Sequence, residues 1–118
     1  RELQTAQQTL AAITGETPLF FRAPAGLRNP FLDPALQRLG LQLASWSRRA
    51  YDTRHGDADA VLRILTRSMR AGDILLLHDR HAARTAQGNP VILEVLPRLL
   101  AATADARLRC VTLRAALA

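Results

Sequence analysis

Three short apolar runs end abruptly in chemically capable residues, and segments with helical spacing separate them. The runs are TPLFFR (17–22), LQLASWS (41–47) and DILLLH (73–78), and a fourth, RLRCVTL (107–113), lies near the end. This alternation constrains the chain most, because strands separated by helices pair in parallel, as an α/β sheet or barrel. The helical segments are punctuated accordingly. RELQTAQQTLAAIT sets Leu3, Ala6, Leu10 and Ile13 at helical spacing, and Gly15 is a natural stop. Pro24, Gly26 and Pro30 mark a loop after the first run. Asp33-Pro34 reads as an N-cap and first-turn proline of a helix that ends at Gly40. RRAYDTRHGD (48–57) reads as a polar loop whose Asp57 caps a helix over 58–71, closed by Gly72. Asn89-Pro90 starts a helix over 91–104, in which Pro97 should produce a kink, and LRAALA (113–118) begins a last helix.

In α/β folds, ligand-binding residues gather at the carboxyl ends of the strands. Arg22 ends the first run, Trp46 and Asp52 lie at and beyond the end of the second, and His78 and Asp79 end the third. A lone strand-end histidine is more often structural or merely exposed. Three such ends opening on one face favour a ligand-binding rim.

Composition removes several function classes. The 118 residues suit one domain, and no apolar run approaches the ~20 residues that span a bilayer. The formal charge is +6, and all 16 basic residues are arginine. They are scattered, without a basic run or interleaved aromatics, so no nucleic-acid partner is expected. Cys110 is the only cysteine, which excludes an intrachain disulfide; within LRCVTL it reads as a small core residue.

FFRAPAG, ASWSRRAYDT and GDILLLHD, in this order, resemble the last three motifs of the polysaccharide deacetylases, the carbohydrate esterases with the NodB homology domain. The resemblance covers nearly the whole chain. It implies a fold: an α/β chain forming the C-terminal portion of a distorted (β/α) barrel, with residues 1–118 as a single partial domain. A complete (β/α) barrel takes about 250 residues. It also implies a function, the metal-dependent hydrolysis of N- or O-acetyl groups on a carbohydrate. The divalent metal, zinc first, would be bound by residues outside this chain, because the family's aspartate pair and paired histidines have no counterpart here.

Residue by residue, the resemblance makes His78 the general acid that protonates the leaving group and Asp52 the acid that orients it. Imidazole suits that work because it ordinarily titrates near neutral pH. Arg22 matches the arginine that contacts the catalytic aspartate base, and its position between Phe21 and Pro24 argues against a side chain free in solvent. Ala25 lies in the segment whose backbone N–H meets the oxyanion, Trp46 belongs to the fourth motif, and Leu76 lines the acetyl pocket. Asp79 is expected to anchor its loop, with Arg80 and His81 at the surface. Three departures matter: Ala25 replaces an aromatic of many members, Arg49 an aspartate, and Thr53 a tryptophan. They favour an alternative, a catalytically degenerate glycan-binding or structural module. The expected partners are an acetylated carbohydrate and, because half a barrel leaves apolar surface open, a companion N-terminal fragment or a second copy. The sequence assigns no compartment, and the resemblance is compatible with an extracytoplasmic or cell-envelope location.

Overall fold

The computed structural model describes residues 1–27 and 29–117. The chain divides into two compact units, Arg1–Ser45 and Trp46–Ala118. Each contains one pair of short parallel strands with a helix in the crossover.

In the first unit, helix α1 (Glu2–Thr14) closes on Gly15, whose left-handed φ of 77° lets its N–H reach Ala11 O. The expected stripe is only partly used. Leu3 is half-buried, but Leu10 and Ile13 are exposed, and the inward face is completed by Gln7 and Ala11. Gln7 works by hydrogen bonding: its amide donates to Pro18 O and Leu39 O. Strand β1 (Phe20–Phe21) pairs in parallel with β2 (Gln42–Leu43). Between them, helix α2 (Leu32–Arg38) starts earlier than Asp33 would suggest. The Asn29 carboxamide accepts the Phe31 N–H and turns the chain first. Pro34 then falls in the first turn, where a missing N–H costs nothing.

The second unit is built on β3 (Arg48–Arg49), parallel to β4 (Leu75–Leu76). Here the sequence reading is corrected, since the expected strand 41–47 stops at Leu43 and the next strand is Arg-Arg, read from sequence as loop. Helix α3 (Ala58–Thr66) is capped as expected, with the Asp57 carboxylate accepting the Asp59 and Ala60 N–H groups. It ends at Thr66, well before Gly72, because the Arg48 guanidinium captures the carbonyls of Arg67 and Ser68. Helix α4 (Val91–Asp105) continues through Pro97. Val61 and Leu65 of α3 mesh with Val91, Val95 and Leu99 of α4 and with Ala50 to form the core. At about 1.5–3 kcal/mol per buried aliphatic side chain, this cluster is the main stabilising feature of the unit.

The expected fourth strand does not form. Arg107 takes a left-handed φ of 58°, its N–H donates to Ala104 O, and the Leu108 N–H donates to Thr103 O. These bonds close α4 and use the start of the apolar run as a cap. Residues 109–112 are irregular, Cys110 is exposed rather than in the core, and Thr112 caps α5 (Leu113–Ala116). Ala118, the end of the expected last helix, lies outside the described residues.

Candidate functional site

Strands β3 and β4 carry polar clusters at both ends, with different jobs. At the amino end, Asp73 accepts from Arg48 Nε at 2.8 Å, from the Arg70 N–H at 2.9 Å and from Ser47 Oγ at 3.0 Å. Ser47 and Ile74 also exchange backbone and hydroxyl bonds. The Arg70 N–H bond first, then the Arg48 side chain, holds the Asp73 carboxyl at about 2, against an ordinary value of 3.8. Every group here is spent on the others, and the cluster joins α3 to the two strands.

The carboxyl end is arranged differently. Tyr51 adopts a left-handed φ of 53°, which turns the chain sharply after β3 and brings Asp52 inward. A non-glycine residue in this region stores about 1–3 kcal/mol of strain. Asp52 is 1% exposed. Its Oδ2 accepts the His78 N–H at 2.7 Å, and its Oδ1 lies 2.9 Å from His78 Nδ1. A carboxylate only accepts, so Nδ1 carries the proton and the imidazole is held as one tautomer. The His78 side chain is 41% exposed, and Nε2 is the ring nitrogen that Asp52 leaves free.

The following loop locks Asp52 from behind. Ala83 N–H donates to Asp52 O at 2.8 Å. Gly56 lies so close to the next residue of that loop that a Cβ there would come within 2.0 Å of Arg84 O. Asp79 is exposed and accepts the adjacent Arg80 N–H, and Arg80 and His81 are at the surface as expected.

Leu75 and Leu77 pack on the helical core, so Leu76 and His78 belong to the opposite face. Register pairs Leu76 with Arg49, which puts Arg49 on that face too. The Arg49 guanidinium lies 4.0 Å from the Tyr51 ring centroid and 5.6 Å from that of Trp46. Thus Asp52 meets His78, and Leu76 and Trp46 each neighbour Arg49, with Trp46 leading into β3 rather than ending β2. Sequence reasoning missed the stacked Arg49, which it took only as a departure, and the hinge at Tyr51. The available signal was the spacing of Trp46, Arg49 and Tyr51 around one guanidinium.

Arg22 and Ala25 belong to the first unit. Arg22 is exposed, contrary to expectation, yet not loose: Nε and Nη2 donate to Ala44 O and Ser45 O, both at 3.2 Å. Ala25 sits in a 3-10 turn (Pro24–Gly26) with a left-handed φ of 54°. The Gly26 and Leu27 N–H groups bond within that turn, whereas the Ala25 N–H meets no acceptor among the described residues.

Among the described residues, no group of three or more His, Cys, Asp or Glu could hold a metal ion, and no helix is long and apolar enough to cross a membrane. A polar cleft lined by Gly56, Asp57, Arg84, Thr85 and Glu94 does not include the Asp52–His78 pair.

No family model matches the chain. Solved structures do, among them the following two. A family 4 carbohydrate esterase from Streptomyces lividans, in complex with acetate, aligns with a TM-score of 0.75 and 27% identity over 90% of this chain and 50% of its own. T48 deacetylase with substrate aligns with a TM-score of 0.74 and 25% identity over 94% of this chain and 50% of its own. This chain therefore spans about half the length of each, and its fold is polysaccharide deacetylase-like, as the three motifs imply.

Proposed function

We propose that this chain carries the leaving-group side of a carbohydrate deacetylase site, and that the intact protein hydrolyses N- or O-acetyl groups on a sugar. The observation that carries the reading is the Asp52–His78 pair, in which one buried carboxylate meets both the backbone and the ring of a half-exposed histidine. In its protonated form His78 holds one proton against Asp52 and offers the other from Nε2. Water adds to the acetyl carbonyl as one of its protons passes to a carboxylate base outside this chain, the bond to the sugar nitrogen or oxygen breaks, and the Nε2 proton passes to that atom. Acetate and a free amine or hydroxyl result, and His78 keeps its Nδ1 proton. Leu76 offers the methyl group an apolar wall, and Trp46 offers the sugar a ring face.

For the first unit the proposal is narrower. The unbonded Ala25 N–H is a donor for an oxyanion, and Arg22 has Nη1 left for a carboxylate base. A distorted (β/α) barrel and a divalent metal, zinc first, belong to the proposal as well. The described residues do not fit a metal; on this proposal its ligands lie outside this chain, and no step here runs through it.

A second reading, a non-catalytic glycan-binding or structural module, is favoured by Arg49, which occupies with a cation a position where many deacetylases carry an aspartate. One experiment separates the two: acetate release from a panel of acetylated oligosaccharides, with metal content, for the intact protein and its His78→Ala variant. Loss of roughly 10²- to 10⁴-fold in turnover with metal retained is the result expected of a missing general acid. Unchanged turnover in the variant would remove His78 from that role. No acetate from any oligosaccharide would leave the binding module.

A further inference from the structure

Arg49 is held in a way that the acetyl chemistry does not use. Its guanidinium is stacked on Tyr51 and lies beside Trp46, and no carboxylate pairs with it among the described residues. Three other arginines of the second unit have polar side-chain partners: Arg48 has Asp73, Arg98 has Asp59, and Arg84 has Gly88 O. Arg49 is half-buried on the face that carries Leu76 and His78, directly beside Leu76 in register. Stacking on a ring covers the flat of a guanidinium and leaves its edge, with the N–H fork, free for a planar anion.

We propose that Arg49 is a specificity-determining residue, and that it reads a carboxylate on the sugar chain whose acetyl group is removed. This rests on the deacetylase reading above. A single fixed guanidinium matches one singly charged carboxylate in a bidentate pair. A phosphate dianion calls for more than one cation or a helix N-terminus, and the other cation of this strand, Arg48, is already spent on Asp73 and on the carbonyls of Arg67 and Ser68. The flanking rings suit the apolar faces of a pyranose, so the stack combines a sugar platform with an anion fork. On this account, the cation that departs from the deacetylase pattern marks a different substrate rather than lost activity.

The test uses the intact protein and two tetrasaccharides. One alternates N-acetylglucosamine with glucuronate; the other is the neutral N-acetylglucosamine tetramer. Acetate release and calorimetric binding are measured for the wild type, Arg49→Gln and Arg49→Lys. The expected result is a wild-type preference for the carboxylated oligosaccharide. Arg49→Gln should remove it, with a loss of roughly 10- to 100-fold on that substrate alone, the size of one charge-assisted hydrogen bond. Arg49→Lys should recover only part, since it keeps the charge and loses the fork. Equal handling of both oligosaccharides by the wild type, or an equal loss on both in Arg49→Gln, would overturn the proposal; the latter would mean that Arg49 only supports the fold. Failure to bind either oligosaccharide would overturn it too. Arg49-dependent binding of the carboxylated oligosaccharide without acetate release would uphold the proposal and refute the deacetylase reading.

Discussion

Asp52 carries two loads at once, and they can be separated by substitution. Burying a carboxylate is unfavourable unless strong donors meet it, and the His78 N–H and Nδ1–H do so. In Asp52→Asn, one of those donors would face an NH2 group. The expected loss of stability is about 1–3 kcal/mol, the cost of an unsatisfied buried group, read by urea denaturation. Acetate release should fall by at least the tenfold to thousandfold range of a mispositioned acid, roughly 10¹–10³, because the imidazole loses its fixed tautomer. Gly56 is a different case. Its backbone conformation is ordinary, and the need for glycine comes from Arg84 O, which a Cβ would meet at 2.0 Å. Gly56→Ala should cost about 1–3 kcal/mol as an overpacked contact and should loosen the loop that carries Asp52. A denaturation midpoint equal to the wild type would show that the two loops part without penalty. The two residues also differ in how far they are legible in the sequence. His78 stands out because it ends an apolar run, whereas Asp52, in a polar loop, is singled out only by the resemblance of ASWSRRAYDT to a deacetylase motif. Gly56 does not stand out, because its role depends on Arg84 O, distant in the chain, and Arg49 does not, because its rings are local but its place beside Leu76 comes from strand pairing.

The elements were legible where their causes are local. Gly15 and Asp57 act through bonds to their own helices, and both behave as their residue types require. Strand β3 was hidden because Arg48 and Arg49 are strand residues by pairing alone: one reaches back to α3 and Asp73, the other lies against two rings. RLRCVTL was misleading for the opposite reason. It has the composition of a strand, but strand propensity is realised only against a neighbour, and the run is partly consumed in closing α4. The Asp73 cluster that ties α3 to β3 and β4 also makes a prediction with a definite sign. Its folded value of about 2 lies below the ordinary 3.8, so the carboxylate form is favoured by folding. The stabilisation is therefore fully present above about pH 4 and is lost as pH falls through 3.8 towards 2. Asp73→Asn should be less stable than the wild type at neutral pH, with the gap closing at about pH 2. Urea midpoints of both proteins across that range provide the check; a gap that stays constant down to pH 2 would mean that the ionised carboxylate is not what stabilises the clamp.

At the scale of the molecule, one feature of the second unit is unbalanced. Helix α4 buries Val91, Val95 and Leu99, yet Leu93, Leu96 and Leu100 on the same helix are 65%, 41% and 49% exposed. Helices on the outside of a soluble domain ordinarily present charged residues there, and exposed apolar stripes mark surfaces that other chains cover. The structures that this chain resembles are about twice its length, so a further stretch of protein or a second copy is the natural cover. In the absence of anything else, the 118 residues should self-associate through this stripe. The chain carries a net charge of +6, which opposes association at low salt. Screening weakens that repulsion and leaves apolar burial intact, so association should tighten as salt rises from about 0.05 to 0.5 M. Sedimentation equilibrium measures this directly. The triple variant Leu93→Ser, Leu96→Ser, Leu100→Ser should be monomeric at every salt concentration, with unchanged helical circular dichroism because none of the three belongs to the core cluster. A wild-type chain that stays monomeric at high salt and high protein concentration would show that the stripe is tolerated in water, and that nothing needs to cover it.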